Sequence, residues 1–308
     1  MVNRIARHRA RVGGSWAVLS AVALIVTAVA WGGGAHSTSA TTAGKVDPKL
    51  RAMLPANIRK SNVVRVASEL DYPPVEYFAP DGKTAIGAEI ELGQAIAKKL
   101  GVKFKFTNIP FDPTIPAINA GRFDTSMTYI GDKPEREAQV DFVDEFRSGY
   151  SIMVRKGNPA HITSLASLCG HSVSTQIGAA NTAVVQDQDK KCRAAGKSIK
   201  MSNTQNAAAA ILALKSGQVD AHLEDAPVAA YIAATSGKGK DFQVVGRQVS
   251  IRNHGMIFKK SNRQLRDAIR ATLKSVIADG TYDRILKKYN VENIALRTAP
   301  INDPRVTP

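Results

Sequence analysis

Charged and aromatic side chains recur just past stretches that read as β-strands, and together they suit a ligand carrying charges of both signs. Beyond Val63–Ala67 lies Ser68-Glu69-Leu70-Asp71-Tyr72-Pro73-Pro74, where two prolines stiffen the loop that carries Tyr72. Beyond Phe104–Thr107 comes Phe111-Asp112-Pro113, and beyond Thr125–Thr128 come Tyr129-Ile130-Gly131-Asp132 and then Arg136. Beyond Ser172–Thr175, Gln176-Ile177-Gly178-Ala179-Ala180-Asn181 opens a helix; beyond Ala221–Leu223 come Glu224 and Asp225. This set fits a zwitterion, with Arg136 and the amides of Gly178–Asn181 for a carboxylate and Asp225 for an ammonium. Tyr72 and Phe111 would wall the ligand's side chain. Each also has a structural reading: Arg136 as a surface partner of Glu135 or Asp141, Phe111 as core, Asp225 as the cap of a helix beginning at Ala226.

The elements that must position these residues alternate. Strand-like Val63–Ala67, Phe104–Thr107 and Thr125–Thr128 are separated by helical Glu91–Leu100 and Thr114–Ala120, with helical Pro134–Gln139 after the third. After a pair of crossing segments the alternation resumes. Ser172–Thr175, Ile199–Met201 and Ala221–Leu223 are strands, followed by helices at Ala179 to about Lys191, Asn206–Leu214 and Pro227–Ala234. The pattern predicts an α/β fold of two lobes, each a mostly parallel sheet with helices on its faces and a cleft at the strands' carboxyl ends. The segment Ile115–Tyr129 matches Ala210–Glu224 as apolar helix, glycine, two residues, aspartate, strand, which aligns Gly121 with Gly217 and Asp124 with Asp220. A strand at Gly255–Phe258 leads to helices Asn262–Ala278 and Thr281–Lys288. The first of these carries an apolar stripe from Leu265 to Ile277 that needs a surface to cover.

The chain has 308 residues, 44% apolar and 22% charged, room for about two domains, which excludes disorder and collagen-like repetition. Half of the +16 net charge lies ahead of Ser61. Arg4, Arg7, Arg9 and Arg11 precede an apolar centre from Trp16 to Trp31 that is too short for a spanning helix. Residues 1–40 therefore read as an export signal or, if uncleaved, an anchor, with small-residue sites ending at Ala30, Ala35 and Ala40. Residues 41–60 read as a linker. An exported chain meets an oxidising environment, so Cys169 and Cys192, the only cysteines, are expected to form a disulfide worth about 3 kcal/mol.

No phosphate-binding loop, GxSxG elbow, HExxH helix or GxGxxG turn occurs outside the leader, and no cofactor is implied. Zinc lacks a second cysteine pair or a spaced histidine pair. The six histidines are dispersed; His222 and His254 fall near a cleft, but a lone histidine is more often packed or solvated. Basic residues are scattered without interleaved aromatics, which argues against nucleic acid.

YPPVEY (Tyr72–Tyr77), GAEIELGQAIAKKLG (Gly87–Gly101), IPAINAGRFD (Ile115–Asp124), Glu135-Arg136 with Val140-Asp141-Phe142, LKSGQVDAHLED (Leu214–Asp225) and DGTYDRILKKY (Asp279–Tyr289) together resemble the family 3 solute-binding proteins, amino-acid receptors of ABC importers. The resemblance spans about Ser61 to Val291. It implies lobe one at 61–147 plus 251–308 and lobe two at 148–250, joined by two crossing strands. It assigns Arg136 to the ligand carboxylate, Asp225 to its amino group, Tyr72 and Phe111 to side-chain walls, Tyr129 and Gly131 to backbone contacts, and Glu69 to the side chain of a basic ligand. It further implies a monomer at the extracytoplasmic face that closes on an L-amino acid and presents it to a membrane permease. Two departures stand out: Gly178-Ala179-Ala180-Asn181 lacks the hydroxyl residues usual at that helix start, and Lys133 replaces a threonine. The competing readings are an exported cyclohexadienyl or arogenate dehydratase on the same scaffold, with Glu69 or Glu224 as general acid, and a sensor or scavenger without its own transporter.

Overall fold

The computed structural model describes residues 46–307; the expected export leader at 1–40 lies outside them. Two short helices, α1 (Pro48–Ala52) and α2 (Ala56–Ser61), precede β1 (Val63–Ser68). A hairpin-like excursion then forms a small sheet of β2 (Asp71–Tyr72), β3 (Glu76–Phe78) and β4 (Ala85–Ile86). Next come α3 (Ala88–Leu100), β5 (Lys103–Asn108), α4 (Thr114–Asn119), β6 (Thr125–Ser126), α5 (Pro134–Glu137) and the long β7 (Val140–Arg155). The second run holds β8 (Ser172–Gln176), α6 (Ala180–Ala194), β9 (Lys200–Thr204), α7 (Ala207–Lys215), β10 (Ala221–Asp225) and α8 (Ala226–Thr235). It returns through β11 (Phe242–Lys259), α9 (Arg263–Ala278) and α10 (Thr281–Lys288).

The expected linker at 41–60 is folded from Asp47 onward. Asp47 Oδ1 accepts the Lys49 and Leu50 N–H groups, Leu54 and Ile58 are buried, and the Arg51 guanidinium donates to the carbonyls of Leu100 and Gly101. Helices of five and six residues are too short to show a period; of the two buried anchors, Ile58 lies in α2 and Leu54 in the turn before it.

One eight-stranded sheet, in the order β5-β1-β6-β11-β7-β10-β8-β9, runs through both lobes. Its flanks, β5-β1-β6 and β10-β8-β9, are parallel; β7 and β11 lie antiparallel to each other and to their neighbours. The β7–β11 ladder slips between Val245 and Val249, between Val249 and Arg252, and between His254 and Gly255. Such slips bend paired strands, and here they lie where the flanks meet.

The matched segments perform the same task in each lobe. Asp124 accepts the Arg65 N–H on β1 at 2.7 Å while its own N–H donates to the Arg65 carbonyl. Asp220 makes the same exchange with Ser172 on β8, at 2.9 Å. Gly121 and Gly217 stand at φ 72° and 79°, left-handed positions that let each helix end. The stripe on α9 is buried at Leu265, Ala268, Ile269, Thr272, Leu273 and Val276. Cys169 and Cys192 form a disulfide with Cα atoms 5.3 Å apart.

Candidate functional site

Strand ends from both lobes converge on one cavity. Glu69, Tyr72, Phe111, Tyr129, Gly131, Arg136, Ala180 and Asp225 line it, as do Glu76, Thr128, Tyr150, Gln176, Ala179 and His254. Contacts across the cleft leave about 20 Å³ free, room for a single water. A ligand can therefore enter only when the lobes separate.

At one end stands Arg136, buried on α5. Its Nη1 donates to the Gly131 carbonyl at 2.7 Å and its Nη2 crosses the cleft to the Gly178 carbonyl at 2.8 Å. The guanidinium lies over the Phe111 ring, 5.4 Å from its centroid, so Phe111 supports the cation as well as walling the cavity. Burial lowers the Arg136 pKa to about 10, which still leaves it charged at neutral pH. The surface pairing with Glu135 or Asp141 is not formed; Asp141 is held by Arg266 at 2.6 Å. Opposite Arg136, α6 begins at Ala180 with no side-chain cap on its first amides. Gly178, at φ 77°, comes so close to lobe one that a Cβ would sit 2.6 Å from Asp112 Oδ1.

Asp225 closes β10 at the other end and does not cap α8 with its side chain. Its Oδ2 accepts the Tyr72 hydroxyl at 2.6 Å, and its Oδ1 lies 3.1 Å from His254 Nε2. The same Tyr72 hydroxyl also reaches Glu224 Oε1, and Glu224 Oε2 lies 2.9 Å from His222 Nε2. One phenolic proton thus faces two carboxyl groups, and Glu224 Oε1 also accepts the Asp225 N–H at 2.8 Å. Ser174, His222 and Glu224 stand in line like a nucleophile triad. Ser174 is wholly buried, however, with its hydroxyl directed to the Ala210 carbonyl, so no substrate reaches it.

Between these ends sit acids without a cation. Gln176 Nε2 donates across the cleft to both oxygens of Glu69, at 2.9 and 2.8 Å. Among the described residues neither Glu69 nor Glu76 forms an ion pair. Burial, then the neighbouring Asp71 charge, pushes Glu69 up to about 8. Burial raises Glu76 and Glu145 well above the carboxylate range, and contact with Glu89 between them adds to it.

Two of the expected residues are placed differently from the rest. Asn181 faces away from the cavity because its amide donates to the Leu223 carbonyl at 2.7 Å. The Tyr129 N–H is taken by Glu89 at 3.0 Å, and it is the Tyr129 ring, stacked on His254 at 4.3 Å, that lines the wall. Tyr150 and His254 belong to the long antiparallel strands, where only the three-dimensional register shows which side chains point inward. Gln176 ends β8 and follows the same strand-end rule as Asp225. Among the described residues, no group of three or more His, Cys, Asp or Glu is arranged to hold a metal ion.

Residues 64–292 match the model of the bacterial extracellular solute-binding proteins, family 3. The chain belongs to that family. This solute-binding protein is 29% identical over 258 residues to the arginine-binding protein ArgT of Corynebacterium glutamicum, covering 83% of each chain. It superimposes on an ancestral arginine-binding protein bound to arginine with a TM-score of 0.68, at 36% identity over 74% of this chain and 98% of the other. A similar match, with a TM-score of 0.68 and 31% identity over 76% and 97%, is to the ancestral amino acid-binding protein AncCDT-1, a precursor of cyclohexadienyl dehydratase. No helix among the described residues of this solute-binding protein is long and apolar enough to cross a membrane.

Proposed function

We propose that this protein captures a basic L-amino acid, arginine or a close analogue, by closing its two lobes, and passes it to a membrane permease at the extracytoplasmic face. The observation that carries this reading is the charge layout of the cavity. Among the residues that line it, Arg136 is the one guanidinium and stands at one end, Asp225 at the other, and Glu69, without a cation, between the lobes. The ligand carboxylate takes Arg136 and the open amides at the start of α6. The ligand ammonium donates to Asp225, beside the Tyr72 hydroxyl that already reaches it. A cationic side chain lying between Tyr72 and Phe111 reaches Glu69. Because the contacts come from both lobes, the ligand favours the closed form. The arginine-binding relatives support the same ligand class. The protein acts as a monomer, exported by its basic and apolar leader.

Calorimetric titration with the twenty proteinogenic amino acids tests this. Basic L-amino acids should bind and be recovered unchanged, Arg136→Ala and Asp225→Ala should abolish binding, and Glu69→Gln should weaken basic ligands about tenfold or more. Binding confined to neutral or acidic amino acids would overturn the ligand assignment. A carboxyl held near pH 8 also suits a general acid, which favours a dehydratase as the second reading. Conversion of prephenate or arogenate, lost in Glu69→Gln, would establish that reading instead.

A further inference from the structure

Beyond Glu69 the cavity has a neighbour. A second space of about 200 Å³ is lined by Glu69, Asp71, Asn108, Pro110, Gln205 and Asn206, so Glu69 is a wall common to both. The second space is ten times the free volume of the first and, like it, is bounded by both lobes, with Gln205 and Asn206 contributed by lobe two. Its lining holds two carboxylates and no lysine or arginine. Much of its hydrogen-bonding capacity is already used. Asn108 Oδ1 accepts the Leu70 N–H, and Asn206 Oδ1 accepts the Ala209 N–H as α7 begins. Asp71 is only partly satisfied: the Ala208 backbone at the start of α7 reaches its carboxyl, while its Oδ1 is buried without a hydrogen bond. Glu69 takes the Gln176 amide nitrogen on both oxygens and the Phe111 backbone besides, which fills only part of the four lone-pair sites of a carboxylate.

We propose that this second chamber receives the far end of the ligand's side chain, so that the site has two compartments and selects cationic amino acids long enough to place a donor on Asp71. The inference rests on the basic-amino-acid reading above and adds the rule for length. A guanidinium presents five N–H groups in a plane, enough to face Glu69 with one edge and Asp71 with another. A shorter ammonium ends at Glu69 and leaves Asp71 untouched. An Nω-substituted arginine carries its extra group into the open chamber, so the pocket tolerates what a closed end wall would exclude.

The test is calorimetry on the purified protein with L-arginine, Nω-methyl-L-arginine and L-ornithine, for the wild type and Asp71→Asn. Asp71→Asn should weaken arginine and methylarginine about tenfold and leave ornithine within about twofold. Gln205 is exposed at the chamber wall, so Gln205→Trp narrows the space without disturbing the core and should weaken methylarginine most. Unchanged arginine affinity in Asp71→Asn, or an equal loss for all three ligands with a lowered unfolding temperature, would overturn the two-compartment site while leaving the basic-ligand reading intact. Failure of every basic amino acid to bind the wild type would remove both.

Discussion

The Tyr72 hydroxyl of lobe one donates to Asp225 Oδ2 of lobe two at 2.6 Å, so one aromatic residue both walls the cavity and ties its halves together. The same hydroxyl faces Glu224, so it brings one donor to two adjacent carboxyl groups at the end of β10. Tyr72→Phe keeps the ring and removes that donor. The variant should fold and should bind its amino acid about tenfold more weakly, through a faster dissociation rate, as stopped-flow fluorescence would show. An unchanged dissociation rate would mean that the hydroxyl has no part in closure.

Arg136 should not tolerate lysine. Its two bonds diverge to Gly131 and Gly178, a geometry that a fork supplies and a single ammonium does not. Arg136→Lys is expected to lose at least about tenfold in affinity, and Arg136→Ala about a hundredfold or more, both measured by titration calorimetry.

Stability should fall as pH rises from about 5 to 8. Glu69 is pushed up from 4.5 to about 8, Asp132 from 3.8 to about 8 and Asp144 from 3.8 to about 7, in each case chiefly by burial. Between the unfolded and folded values the native chain holds protons that the unfolded chain has released, so folding is favoured at the acidic end of that window and loses this support as pH climbs. A fall in Tm of about 5 °C or more across the window is expected without ligand, and a Tm that rises from pH 5 to 8 would contradict it.

Ligand binding should carry the opposite trend. A cationic side chain beside Glu69 favours its ionised form, so binding expels a proton and arginine affinity should increase about tenfold from pH 6 to 8. Calorimetry in two buffers with different heats of ionisation would reveal the released proton. A buffer-independent enthalpy would place the ligand's charge elsewhere.

The disulfide should support the fold rather than the ligand. Cys192 lies near the end of α6, and its bond to Cys169 closes a loop of 23 residues. Cys192→Ser should cost about 3 kcal/mol, roughly 6–12 °C in Tm, with ligand affinity kept at temperatures where the variant is folded. A large loss of affinity at those temperatures would show that the bond positions the start of α6.

Much of this protein is written in local pattern. Alternating strand and helix runs, the Gly-x-x-Asp punctuation at 121–124 and 217–220, and the stripe on α9 are legible because each depends on neighbours within a few residues or on one repeating period. Strand ends in an α/β sheet face a common crevice, so Tyr72, Phe111, Arg136 and Asp225 were identifiable as soon as their strands were. What only tertiary structure decided involves partners distant in sequence. The short helices before β1 exist because Leu54 and Ile58 find a core and Arg51 finds the end of α3. Tyr150 and His254 enter the cavity because two long antiparallel strands slip against each other. Asn181 leaves it because the Leu223 carbonyl on the neighbouring strand captures its amide. The acidity of Glu69 is a tertiary property as well: a carboxyl acquires its proton from burial and from the charges folded around it, which the order of residues along the chain does not display.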